Sequence, residues 1–145
     1  MALTEGPAET ISDERALAAQ LFNDTWTLLE KESRSAEDDD RMLHAAHASR
    51  YHWDNVGTDQ HRAIGEWQCS RVYAVLGRGE PALHHASRCL SYAQAEGVDE
   101  WVVASGYEAL ARALATAGQA EAARDARDQA LALAERIEDA EDKAI

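Results

Sequence analysis

Arg71-Val-Tyr-Ala-Val-Leu-Gly-Arg-Gly-Glu-Pro-Ala82 returns 41 residues later as Arg112-Ala-Leu-Ala-Thr-Ala-Gly-Gln-Ala-Glu-Ala-Ala123. Under that shift Arg71, Ala74, Gly77, Glu80 and Ala82 fall on Arg112, Ala115, Gly118, Glu121 and Ala123. Farther along, Leu90 and Ala93 fall on Leu131 and Ala134. Each copy reads as a helix, a glycine turn and a second helix whose small residues permit close packing. A self-similar period of this length marks a stack of helical hairpins.

Working outward, helical periodicity dominates and no segment alternates with period two. Residues 1–9 read as a flexible leader. The first helix is expected from near Ile11 to about Ser33, with Thr10 or Ser12 able to cap it and Asp13 and Glu14 suiting its positive end. Leu17, Leu21, Phe22, Trp26, Leu28 and Leu29 supply its apolar stripe. The Asp38-Asp-Asp run suits the start of helix two, where carboxylates oppose the helix dipole. That helix is expected to reach about Asn55 and stop at Val56-Gly57. Helix three is expected over Asp59–Leu76, ending at Gly77-Arg-Gly79. Helix four opens on Glu80-Pro81, a residue suited to a first turn, and stops near Gly97. Helix five spans Glu100–Ala117 before Gly118, and helix six runs from Glu121 to about Asp139. The expected organisation is a single all-α domain over residues 10–139, six helices in three antiparallel hairpins. Residues 140–145 form an acidic, fraying tail.

The spacing Tyr73-x3-Gly77-x4-Ala82, repeated as Leu114-x3-Gly118-x4-Ala123, resembles the tetratricopeptide repeat. Cys89-Leu90 and Ala130-Leu131 stand where that motif ends on a small and a large residue. The likeness covers residues 63–137. It departs from the family in a period of 41 rather than about 34, in lacking a terminal Pro, and in a first hairpin without the central Gly. It implies a tetratricopeptide-like right-handed array in which the first helix of each pair faces a concave groove. The strings around His44–Trp53, Gly65–Gly77 and Tyr107–Arg112 also resemble a group of small bacterial proteins of uncharacterised function. That likeness implies a three-hairpin domain and supplies no activity.

Composition narrows the function. Fourteen basic against twenty-seven acidic residues give a formal charge of −13, which disfavours nucleic acid and anionic membrane surfaces, both of which are bound through basic residues. No stretch approaches the ~18 apolar residues of a membrane span, and the start lacks a secretion signal. A cytoplasmic protein is expected. Cys69 and Cys89, without a Cys-x-x-Cys pair, are expected to stay reduced and to pack as small hydrophobes.

The chemically versatile side chains concentrate in Met42-Leu-His-Ala-Ala-His-Ala-Ser-Arg-Tyr-His-Trp53. Helical phase divides the segment. Met42, Ala45, Ala46, Ser49, Trp53 and Val56 form a core stripe, while His44, His47 and Tyr51 share another face as candidate catalytic residues. On helix three Trp67 and Arg71 stand one turn apart, and the repeat places Glu108 and Arg112 at the matching positions of helix five. In the tetratricopeptide-like arrangement all four look into one groove, which makes them the candidate ligand-binding set; the arginines suit a carboxylate or phosphate. A plainer reading stays open: Arg112 pairs with Glu108 at i, i+4, Trp67 packs between hairpins, and the histidines bond to buried backbone. His44 and His47 at i, i+3 can converge on an ion, with a third ligand from His61, His84 or His85, but the Glu-x-x-His and His-Glu-x-x-His contexts are missing. No metal and no cofactor are expected, and a His-ligated metal protein stays open as a third class behind the two below. His85 and Tyr92 share a face expected to cover a neighbouring helix.

The expected function is therefore non-enzymatic binding through the helical groove, of a partner protein's segment or of a second copy as a homodimer. The alternative is a small-molecule-binding protein or metal-free acid–base enzyme whose pocket uses His44, His47, Tyr51, Trp67, Arg71 and Glu108.

Overall fold

A computed structural model describes residues 11–143. Six helices and no strand occur among them: α1 Ile11–Leu29, α2 Ala36–Val56, α3 Asp59–Val75, α4 Gly79–Ala93, α5 Glu100–Thr116 and α6 Ala120–Lys143. The expected leader at residues 1–9 lies outside the described residues. No described helix is long and apolar enough to cross a membrane.

Local chemistry sets the helix ends. The Ser35 side chain accepts from the Asp38 backbone N–H at 3.1 Å, and the Ser35 N–H donates to Asp38 Oδ2 at 3.1 Å. This capping box, worth about 1 kcal/mol, opens α2 two residues ahead of the Asp38-Asp-Asp run. The chain must turn before Ser35, so α1 stops at Leu29 rather than near Ser33. Arg34 spans that turn, donating to Asp39 Oδ1 at 3.0 Å and to the Leu29 carbonyl at 3.5 Å. The two repeated glycine turns share one hydrogen-bond pattern. Arg78 N–H donates to the Tyr73 carbonyl at 2.9 Å, and Gln119 N–H to the Leu114 carbonyl at 2.8 Å. Gly77 and Gly118 between them have φ of 76° and 81°, a left-handed conformation that disfavours any Cβ. α6 continues past the expected end at Asp139 to Lys143 because its Ala- and Glu-rich close contains no helix breaker.

Consecutive helices pack as hairpins α1/α2, α3/α4 and α5/α6, with α2 also against α3, α4 against α5, and α3 against α5. The α2 and α4 backbones stand apart, and the two helices meet only through long side chains. The core is built from small residues: Ala63, Cys89, Ala93 and Val102 in one cluster, and Ala82, Ala86, Ala109 and Ala113 in another. Small side chains bring helix axes close, and at Gly106 an added Cβ would fall 2.7 Å from Leu90 Cδ2. Met42, Ala46, Ser49 and Trp53 are buried along the expected stripe of α2. Buried polar side chains tie the helices together. Ser49 donates to the Ala18 carbonyl at 2.8 Å, Gln68 to the Phe22 carbonyl at 3.0 Å and Ser70 to the Ala82 carbonyl at 2.7 Å. Each such bond contributes about 1 kcal/mol, and losing it would leave a buried acceptor or donor unpaired.

Candidate functional site

α3 presents two chemically distinct sides. At ~100° per residue, Glu66, Ser70 and Tyr73 share one side, and Trp67 and Arg71 point well round from them. The first side faces the space between α2 and α4; the second meets α1 and α5.

On the α1/α3/α5 side, the Trp67 ring lies 5.6 Å from Trp26, and the Arg71 guanidinium sits 5.2 Å above the Trp26 ring. Trp67 also packs against the Ala109–Ala113 cluster of α5. Glu108 and Arg112 form an ion pair one turn apart. Burial lowers the Arg71 pKa, the nearby Arg112 charge lowers it further, and Glu108 opposes them. The four sequence-derived ligand residues are thus neighbours, and the i, i+4 pairing and the packing of Trp67 are both present as well. Two donors here have no acceptor: the buried Trp67 Nε1 and Arg112 Nη1. Arg112 also borders a groove of about 460 Å³ floored by Ala111, Ala115 and Ala123 and edged by Arg124 and Arg127. The sequence assigns Trp26 to the apolar stripe of the first helix rather than to the ligand-binding set, although it stands one 41-residue period before Trp67.

On the other side, the separation of the α2 and α4 backbones leaves a cleft of about 410 Å³ lined by Glu66 between them. The Glu66 side chain is only 4% exposed. His85 Nδ1 donates to its Oε2 at 2.8 Å and Arg88 Nε to its Oε1 at 2.8 Å, with Arg50 Nε 3.5 Å from the same oxygen. Burial pushes the Glu66 carboxyl up, but the His85 and Arg88 hydrogen bonds and the His85 and Arg50 charges outweigh it, bringing its pKa to about 2. Arg50 Nη2 and Arg88 Nη2 converge on the Tyr92 hydroxyl at 3.1 and 3.3 Å, and both guanidiniums lie over its ring. His47 Nε2 is 2.8 Å from the Tyr73 hydroxyl, and the His47 and His85 rings are 5.3 Å apart. Burial holds His47 below its usual pKa; His85 and His44 add to this and Glu66 opposes it.

The histidine-rich face of α2 is divided between sites. His47 and Tyr51 line this cleft, while His44 lines a separate groove with Leu21, Asp24, Leu28 and Arg41. The six residues of the alternative pocket therefore do not share one cavity. His85 stacks on Tyr73 of α3 and Tyr92 packs against the cluster that includes Ala63 of α3, so their shared face covers a neighbouring helix and lines the cleft as well. Glu66, Arg50, Tyr73 and Arg88 were not singled out as site residues. A signal was present: His85, Arg88 and Tyr92 repeat the i, i+3, i+7 spacing of His44, His47 and Tyr51 one period later.

Among the described residues no group of three or more His, Cys, Asp or Glu side chains is placed to hold a metal ion. Cys69 and Cys89 are buried free thiols. Burial raises the pKa of both, that of Cys89 to about 12, so neither presents a thiolate nucleophile. No protein-family model matches the chain, and no curated protein matches it.

Proposed function

We propose that this protein is a non-enzymatic binding module that takes an acidic peptide segment on its α1/α3/α5 face. The observation that carries the reading is the Arg71 guanidinium stacked over Trp26, beside Trp67 and the part-exposed Arg112–Glu108 pair of α5. A ligand carboxylate would pair with the Arg71 guanidinium through charge-assisted hydrogen bonds. Trp26 and Trp67 offer apolar area beside the charge, the mix of aromatic and Arg that dominates binding energetics at interfaces. The Arg124 and Arg127 edge extends the positive character in a protein that is otherwise acidic.

The repeat supports a tetratricopeptide-like array, with α1, α3 and α5 as the groove-facing first helices. The matched glycine turns at Gly77 and Gly118 favour this arrangement. The segment comes from a partner protein or from a second copy of the chain, which itself carries 27 acidic residues. Selection of random displayed peptides on the immobilised protein tests the reading. Enrichment of Asp- and Glu-rich sequences that Arg71→Ala no longer retains is expected. Failure to enrich any acidic sequence would sink it. Sedimentation over a concentration series separates the two sources, since self-association requires a dimer.

A further inference from the structure

The α2/α4 cleft differs in that both oxygens of its floor carboxylate are already engaged. Both Glu66 oxygens take bonds from α4, and Asp54 Oδ1 faces Arg50 Nη1 and Arg62 Nε, each at 3.3 Å. The Tyr92 oxygen accepts from two arginines, which leaves its own proton free to donate. Arg88 Nη1 and the Tyr51 hydroxyl bond to no described residue, and Tyr51 is 68% exposed. Unpaired guanidinium and hydroxyl donors on the wall of the cleft, above a carboxylate already saturated by its neighbours, suit a ligand that brings oxygen lone pairs and negative charge.

Its charge also depends on protons. Arg50 and Arg88 are balanced by Glu66 and Asp54 when both imidazoles are neutral. Glu66 engages Nδ1 of His85 and so fixes the orientation of that ring beside His47. His47 is faced by Tyr73 and Glu66 from α3, by His85 with Arg88 and Tyr92 from α4, and by His44, Arg50, Tyr51 and Asp54 from its own helix, while His84 lies against His85. Among these groups, two imidazoles 5.3 Å apart repel each other when both are charged, and an anion seated beside them would remove that penalty.

We propose that this cleft is a proton-gated binding site for a small oxyanion ligand, one carrying a carboxylate or a phosphate. Arg88, Tyr51 and Tyr92 supply fixed donors. His47 supplies charge as the pH falls, and Glu66 positions His85 and Arg88. Binding therefore takes up protons, and affinity rises toward acid pH.

Calorimetric titration of the full chain at about pH 5.5 and about pH 8, either side of the ordinary imidazole range, tests this. The probes are sulfate, whose charge is constant over that range, and acetate. Sulfate is expected to bind at least about tenfold more tightly at the lower pH, the change expected when one proton is coupled to binding. His47→Gln, which leaves every Glu66 bond in place, should flatten that dependence. Tyr51→Phe, on an exposed side chain, should weaken binding without changing the melting temperature. Tighter sulfate binding marks a phosphate-type ligand and tighter acetate binding a carboxylate. Absence of binding by both probes, equal affinity at the two pH values, or an undiminished pH dependence in a folded His47→Gln protein would overturn the proposal.

Discussion

Arg50 lies across the surface of Gly65, so that a Cβ on that glycine would stand 2.8 Å from Arg50 Cδ. The missing side chain on α3 is what lets the α2 arginine lie low enough to face Glu66 and reach Tyr92. Gly65→Ala therefore sets two effects against each other. Alanine favours the helix interior by about 1 kcal/mol, while displacing a packed side chain costs about 1–3 kcal/mol. A net loss of about 1 kcal/mol is expected in denaturant unfolding, with weaker sulfate binding because Arg50 is lifted from the cleft.

Glu66 carries the largest electrostatic stake. Glu66→Ala leaves the guanidinium of Arg50, whose side chain is 12% exposed, facing the vacated space, and removes the partners of His85 and Arg88. A loss of about 3 kcal/mol is expected, in the range found when one member of a buried pair is removed. Glu66→Gln, which keeps an acceptor oxygen, should lose less. Thermal unfolding of the two variants beside the native chain checks the order.

Acid should destabilise the fold in two stages. His47 and His61 are held below their ordinary pKa by burial, with nearby charges adding to it. Their unfolded forms therefore bind protons first, and stability falls as pH drops through and below about 6.5. The Glu66 carboxyl falls from 4.5 to about 2 on folding, so its contribution is complete above pH 4.5 and is lost as pH falls toward 2. Urea midpoints across that range should decline in both windows. His47→Gln should blunt the upper decline and spare the lower one.

Gly79 meets backbone rather than a side chain: a Cβ there would fall 2.7 Å from Ala117 Cα and 2.8 Å from Ala117 N. Gly79→Ala must push α4 away from the end of α5, and a loss of at least about 2 kcal/mol is expected. Gly77→Ala meets no atom within 4 Å and costs only its left-handed φ, about 1 kcal/mol. Melting temperatures of the two variants should fall in that order.

The helices were legible because their signals are local. Met42, Ala46, Ser49 and Trp53 mark a buried stripe by spacing alone, and the 41-residue repeat fixes the two glycine turns. The grouping of Trp67 and Arg71 with Glu108 and Arg112 follows from the same repeat. Glu66 was not legible. A glutamate in a helix normally reads as solvent-facing, and the side chains that make its burial tolerable, His85 and Arg88, lie 19 and 22 residues away. The division of His44 from His47 was equally hidden, since it depends on how far apart α2 and α4 stand, which helical phase does not specify.

The claim that the α1/α3/α5 face binds acidic segments meets its most direct test in the affinity of a selected acidic peptide for two proteins, the native chain and one carrying Arg71→Ala with Arg112→Ala. The affinity of the doubly substituted protein should fall at least about tenfold, equivalent to one lost charged contact of about 1.4 kcal/mol, with the melting temperature nearly unchanged. Equal affinity in the two proteins would contradict the claim.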